Sequence, residues 1–107
     1  MDSKEVLKEY FGYDSFRAGQ EDIINAILAK KDVLAIMPTG AGKSLCYQVP
    51  AMMLSGITVV ISPLISLMQD QVKSLNDVGI NAAYVNSTLS ESEIDGTLNM
   101  ALNGIYK

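Results

Sequence analysis

A chain of 107 residues suffices for one small domain and is short for a complete nucleotide-driven motor, which needs two domains of about 100 to 150 residues each. Twelve acidic against eight basic side chains, a formal net charge of −4, exclude a protein that grips nucleic acid through a broad basic surface, so any such contact is local and polar. One cysteine, Cys46, and no histidine exclude an intrachain disulfide, a histidine-based zinc site and a histidine general base. No apolar run approaches the roughly 18 residues that cross a bilayer, and Met1-Asp2-Ser3-Lys4-Glu5 lacks the charged-then-apolar order of a signal peptide. A cytoplasmic protein with no membrane partner is expected.

In chain order, Ile23, Ile24, Ile27 and Leu28 form one apolar stripe at helical spacing. Val33-Leu34-Ala35-Ile36-Met37 is a continuous apolar run between Asp32 and Pro38, the pattern of a strand buried on both faces of a parallel sheet. A helix is expected to begin at Gly42, with Pro50 kinking or ending it, because the ring removes a backbone donor and crowds the preceding turn. Ile57-Thr58-Val59-Val60-Ile61 repeats the strand pattern before Ser62-Pro63. Leu64, Met68, Gln71/Val72, Leu75 and Val78 then predict a helix that Gly79 stops. Ala82-Ala83-Tyr84-Val85 is a weaker third strand. Ser90 and Glu93 make a capping box before Ile94, Leu98, Ala101 and Leu102, and Asn103-Gly104 closes that helix. A helix followed by β-α-β-α-β-α implies an α/β fold, a parallel sheet with flanking helices and right-handed crossovers.

Directly after the first expected strand comes Met37-Pro38-Thr39-Gly40-Ala41-Gly42-Lys43-Ser44. Gly40 and Gly42 let successive N–H groups turn toward one anion, and the helix that follows adds its positive N-terminal end. A triphosphate is the natural ligand, with Thr39, Gly40, Ala41 and Gly42 around it, Lys43 reaching the β- and γ-phosphates and the Ser44 hydroxyl on Mg²⁺. Lys43 and Ser44 are the candidate catalytic groups. The strict G-x-x-x-x-G-K-S/T pattern has glycine where this chain has Met37. The plain alternative is a glycine-rich turn with a surface lysine. Cys46 reads as a buried filler.

Residues 37–48, Met-Pro-Thr-Gly-Ala-Gly-Lys-Ser-Leu-Cys-Tyr-Gln, resemble motif I of the RecQ helicases of superfamily 2, a family that lacks the leading glycine. Phe11-Gly12-Tyr13 and Phe16-Arg17-Ala18-Gly19-Gln20 resemble that family's motif 0. The resemblance implies that Tyr13, Arg17 and Gln20 select the adenine of ATP, and a glutamine amide does offer a donor and an acceptor in one plane. Read from the residues alone, the segment is a polar lead into a helix. Ser62-Pro63-Leu64-Ile65-Ser66-Leu67-Met68-Gln69-Asp70-Gln71-Val72 resembles motif Ia and Asn86-Ser87-Thr88 the next motif, which implies DNA contacts by Ser62, Pro63, Gln71, Asn86, Ser87 and Thr88. Without the family, Ser62-Pro63 is a helix cap, and Met68 and Val72 are core in either reading. Hydroxyls, backbone N–H groups and helix N-termini hold phosphates without a basic surface, which suits the net acidity.

The resemblance covers about Val6 to Lys107 and implies residues 1–107 are part of a RecA-like P-loop NTPase domain, from an ATP-dependent enzyme that unwinds duplex DNA in replication, recombination or repair. In such a family an Asp-Glu-x-His strand and a second domain with an arginine finger follow. The 107 residues alone are therefore expected to be inactive, to lack the remainder of the helicase as partner, and to self-associate through an unpaired sheet edge. The alternative is a stand-alone nucleotide-binding or regulatory module. A P-loop kinase or transporter ATPase fits less well, since those usually keep the leading glycine and carry no element like Gln20 ahead of the loop.

Overall fold

The computed structural model describes residues 1–38 and 42–107, so the expected phosphate-holding residues Thr39, Gly40 and Ala41 lie outside the described residues. Two compact units divide the chain, Met1–Ser55 and Gly56–Lys107.

In the first unit α1 spans Ser3–Phe11, α2 Gln20–Leu28 and α3 Leu45–Met53. The sequence reading did not anticipate α1, although its signals are local. Asp2 Oδ1 accepts from the Glu5 N–H at 2.9 Å, Val6, Leu7, Tyr10 and Phe11 recur at helical spacing, and Gly12 ends the helix at φ 76°. α1 and α2 both pack on α3. Val6, Leu7, Ile24 and Val49 are buried at their junction, with Tyr10, Phe11, Phe16, Leu28, Leu45, Met52 and Met53 around them. A buried aliphatic side chain contributes about 1.5–3 kcal/mol, which makes this cluster the principal stabiliser of the unit. Pro50 neither ends α3 nor stands at its edge. The helix continues to Met53, and the ring is itself fully buried, so apolar burial offsets the lost backbone donor.

The second unit holds α4, Ile65–Asp77, and α5, Glu91–Leu102. The capping box forms as expected: Ser90 Oγ accepts from the Glu93 N–H at 3.2 Å, and Glu93 Oε1 accepts from the Ser90 N–H at 3.0 Å. Those bonds hold the Glu93 carboxyl below its ordinary value, the backbone bond from Ser90 most of all. A depressed folded value means that the cap's ionic contribution is complete above the ordinary carboxylate range and fades as pH falls through the folded value.

The α/β expectation is overturned. Among the described residues there are five helices and no strand. A parallel strand exists through ladder bonds on both sides and cover on both faces, and the three apolar runs have neither. In the first unit Leu34 and Ile36 are each 90% exposed, and in the second Ile61 is 94% exposed. In the second unit single backbone bonds take the place of a ladder, Thr58 N–H to the Lys107 carbonyl at 2.8 Å and Lys107 N–H to the Asn81 carbonyl at 2.9 Å. The expected order of strands and crossovers, and the sheet edge expected to drive self-association, fall with it. Among the described residues no helix is long and apolar enough to cross a membrane.

Three helices close with the same pair of bonds, in which the first left-handed residue and its successor donate to carbonyls three and five residues back. α4 does so through Gly79 and Ile80, α5 through Gly104 and Ile105, and α2 through Lys30 and Lys31. Lys30 stands at φ 62°, the single non-glycine residue at positive φ among the described residues. A side chain there costs about 1–2 kcal/mol, and glycine returns roughly 0.5–1 kcal/mol of that as lost backbone entropy. Lys30→Gly is thus expected to stabilise the first unit by a few tenths to about 1 kcal/mol, read as a higher urea midpoint at unchanged slope. A lower midpoint would show that the lysine has a stabilising contact outweighing its strain.

Candidate functional site

Past the first expected strand, Gly42 turns the backbone at φ 75°, and α3 follows with Ser44 as its N-cap. The Ser44 side chain makes no capping bond, so the partial positive charge of the helix terminus is not answered by a side-chain cap. Lys43 is exposed and Ser44 partly so. Cys46 lies in the first turn of α3, its Sγ 3.9 Å from the Gly42 carbonyl and 3.8 Å from Met37 Sδ. Burial pushes its pKa up, which keeps it a thiol and suits a packing role.

Gln20 joins this turn to the segment before α2. It opens α2 at 1% exposure, the one buried polar side chain among the described residues. Its Oε1 accepts from the Arg17 N–H at 2.8 Å, and its Nε2 donates to the Gly42 carbonyl at 3.0 Å. A Cβ on Gly42 would collide with that same amide nitrogen. Of the expected base-contacting residues, Gln20 is therefore tied to Gly42, and the Arg17 backbone is tied to Gln20. Tyr13 is half exposed, and its N–H donates to the carbonyl of Leu7, midway along α1, at 3.4 Å. An open apolar cleft of about 610 Å³ lies between the entry to α2, at Arg17, Gly19 and Ile23, and the run from Leu34 to Pro38.

The residues expected to face DNA all lie in the second unit. Ser62 Oγ accepts from the Leu64 N–H at 3.3 Å and leads, through exposed Pro63, into α4. Gln71 sits midway along α4, partly buried. Asn86 forms the turn before α5, its Oδ1 accepting from the Thr88 N–H at 2.9 Å and from the Thr88 hydroxyl. Asn86 Nδ2 is buried without a hydrogen-bond partner, and Ser87 and Thr88 are exposed. The turn thus gathers Asn86, Ser87 and Thr88, while Ser62, Pro63 and Gln71 belong to α4 and its approach. Among the described residues no group of three potential metal ligands assembles.

The family model described as DEAD/DEAH box helicase matches residues 17–103. The chain belongs to that family. The matched span includes Arg17, Gln20, the phosphate turn and the Asn86–Thr88 turn, and begins after Tyr13. Among its DEAD/DEAH relatives, the chain is 54% identical over 106 residues to the ATP-dependent DNA helicase RecQ of Bacillus subtilis, 98% of this chain and 18% of that protein. It is 52% identical over 102 residues to the RecQ helicase of Haemophilus influenzae, 95% of this chain and 16% of that protein. Against the ATP-dependent DNA helicase Q1 of Rattus norvegicus the identity is 48% over 91 residues, 85% of this chain and 15% of that protein. The RecQ resemblance in the sequence is thereby upheld across nearly the whole chain, which spans less than a fifth of these relatives.

Sequence reasoning placed Gln20 and Gly42 in separate motifs and missed their bond, since nothing in a spacing of 22 residues marks it. The bond makes a distinct demand on Gly42. Gly12 has φ 76° and open space within 4 Å of where a Cβ would stand, whereas Gly42 at φ 75° has the Gln20 amide there. Alanine at either position meets left-handed strain of about 1–2 kcal/mol. Gly42→Ala is expected to destabilise the first unit more than Gly12→Ala, and the excess should shrink in a Gln20→Ala background, as chemical denaturation of the four variants would read. Equal losses in both backgrounds would remove the contact from the explanation.

Proposed function

We propose that this chain is the nucleotide-binding front of an ATP-dependent, RecQ-like DNA helicase. The observation that supports this reading is the Gln20–Gly42 bond, which ties the proposed base-selecting residue to the glycine that precedes Lys43 and Ser44. In the proposal the backbone from Thr39 to Gly42 and the N-terminus of α3 hold the triphosphate, Lys43 neutralises its β- and γ-phosphates, and Tyr13, Arg17 and Gln20 select adenine. The Ser44 hydroxyl, with no capping bond to give up, fits a hard cation, and Mg²⁺ when bound supplies charge neutralisation between the phosphates. Ser62, Pro63, Gln71, Asn86, Ser87 and Thr88 hold a DNA strand by its backbone. Exposed Ser87 supports this, as a hydroxyl that a phosphate oxygen can accept from. Exposed Leu34, Ile36, Val59 and Ile61 favour association, with the remainder of a helicase or between copies of the chain.

Within these 107 residues no group is identified to orient a water or to place a second cation on the transition state, so the chain should bind ATP weakly and not turn it over. Lys43→Ala is expected to lower that ATP affinity by about ten- to hundredfold, the worth of a charge-assisted hydrogen bond. Calorimetry reads the affinity, and an unchanged circular dichroism spectrum is expected because Lys43 is exposed. ATP affinity that does not depend on Lys43 would overturn the site, and DNA-stimulated phosphate release by this chain would falsify the claim of inactivity.

The strand-binding half leads to a second measurement. The unit from Gly56 to Lys107 has two cations, Lys73 and Lys107, against five carboxylates. Lys73 lies 3.8 Å from Asp77, and Lys107 Nζ donates to the Gly56 carbonyl at 3.1 Å. At about 0.7 per phosphate neutralised on a single strand, log affinity against log salt should fall no more steeply than about −1.4, with little base preference. A steeper slope or strong sequence preference would place the DNA elsewhere.

A further inference from the structure

The end of α5 carries chemistry that neither the nucleotide site nor the strand site uses. Asn103 is the one asparagine of the chain followed by glycine, and both residues are exposed. Glycine has no side chain to shield its backbone nitrogen, so that nitrogen can attack the amide carbon of the asparagine before it. The Gly104 nitrogen gives its proton to solvent base and bonds to Asn103 Cγ. The Cγ–Nδ2 bond breaks, and ammonia leaves with a proton taken from water. A second water then opens the cyclic imide, on one side to aspartate and on the other to isoaspartate, whose main chain runs through the former side chain. Nothing is oxidised or reduced, and water is the only co-reactant.

The fold sets the pace of this step. Ring closure needs the Gly104 nitrogen to stand next to Asn103 Cβ, but in the cap Asn103 has ψ 7°, which places that nitrogen beside the residue's own nitrogen. The Gly104 N–H donates to the Ala101 carbonyl at 3.1 Å and the Ile105 N–H to the Met100 carbonyl at 3.2 Å, and both bonds must open before the chain can rotate.

We propose that Asn103-Gly104 is a self-modifying site, restrained by the closing bonds of α5, at which the ageing chain acquires a carboxylate. Its position makes the product consequential. The new charge meets the negative end of α5, where the last turn has no basic residue. Isoaspartate also adds a backbone carbon inside the cap, so the spacing that the paired closing bonds require is lost. Shortly beyond, Lys107 accepts from the Thr58 N–H and donates to the Asn81 carbonyl, so a loosened cap reaches the tertiary bonds of the second unit. Conversion thereby weakens the restraint that slowed it.

Peptide mass mapping of the chain incubated in mildly alkaline buffer tests this. Conversion at Asn103 should exceed that at every other asparagine. It should run about five- to hundredfold slower in buffer than in urea that unfolds the chain, the worth of two backbone hydrogen bonds. After conversion, the Gly104 and Ile105 amides should exchange faster with solvent. Asn103→Gln, whose longer side chain closes the ring poorly, should abolish the mass change there. The mapping itself needs no substitution, so a poorly folded variant does not remove the test. Faster conversion at Asn86, ahead of Ser87, or none at Asn103, overturns the site. Equal rates in the folded and unfolded chain overturn the restraint, and unchanged exchange at Gly104 and Ile105 overturns the effect on the cap.

Discussion

Burying a neutral amide with a donor or acceptor unanswered costs about 1–3 kcal/mol, a large share of what a unit of this size has in hand. Gln20 meets that condition from opposite ends of the first unit, taking the Arg17 N–H at the entry to α2 and giving to the Gly42 carbonyl ahead of α3. Gly19 stands at the N-cap of α2 with no side chain to offer, so the glutamine that follows it reaches back to the preceding turn in place of a capping residue. The same side chain thereby ties the start of α2 to Gly42. Ile24, one helical turn beyond, meets Leu7, Val6 and Val49 in the core. The apolar cluster supplies most of the stabilisation, and the amide determines which backbone atoms the cluster holds in register with the site.

The second unit is organised by different means. Ile80 is its one buried hydrophobic side chain among the described residues, and neither α4 nor α5 has a buried residue. Its order is built from short-range bonds at the Ser62, Asn86 and Ser90 turns. Lys107 supplies the long-range ties, accepting from Thr58, donating its N–H to Asn81 and its ammonium to Gly56. Regions with few buried contacts open at low free energy. The proposed strand-binding residues lie in such a region, and the proposed base-selecting Gln20 lies beside the packed junction of the first unit.

What could be read in the sequence follows from how local each feature's cause is. The α5 capping box, the stop at Gly79 and the helical stripe of α2 depend on residues within a turn of one another, and each was legible. α1 is equally local, with Asp2, Glu5 and Gly12 at its ends, but its last residue, Phe11, reads as the start of the aromatic segment that follows and so draws the helix into the motif. The expected strands do not form, since the run 33–37 has the composition of a buried strand but pairing is a property of neighbours and cover, which an apolar run does not encode. Of the two outcomes expected at Pro50, a kink or an end, the end does not occur, since α3 continues to Met53. The local rule against proline in a helix is correct, and burial of the ring on the core side of α3 overrode it. Motif 0 and the glycine-rich turn named candidate residues, but the bond between Gln20 and Gly42 is tertiary and appears in no spacing.

Net charge misled least, once its distribution is followed along the chain. From Val33 to Gln69 there is no aspartate or glutamate, and the single charged side chain is Lys43. The phosphate turn, α3 and the Ser62-Pro63 approach to α4 all fall within that stretch, so the overall −4 resides elsewhere along the chain. At physiological ionic strength exposed charges more than about 8 Å away are largely screened, and an anion at either place is governed by what stands next to it. In the proposed sites that is Lys43, backbone N–H groups and a helix terminus for a triphosphate, and hydroxyls and amides for a strand phosphate. Omitting carboxylates from these segments achieves locally what a basic surface would achieve by excess. It also avoids the indiscriminate attraction for polyanions that a basic surface brings, and leaves hydrogen-bond geometry to decide which anion stays.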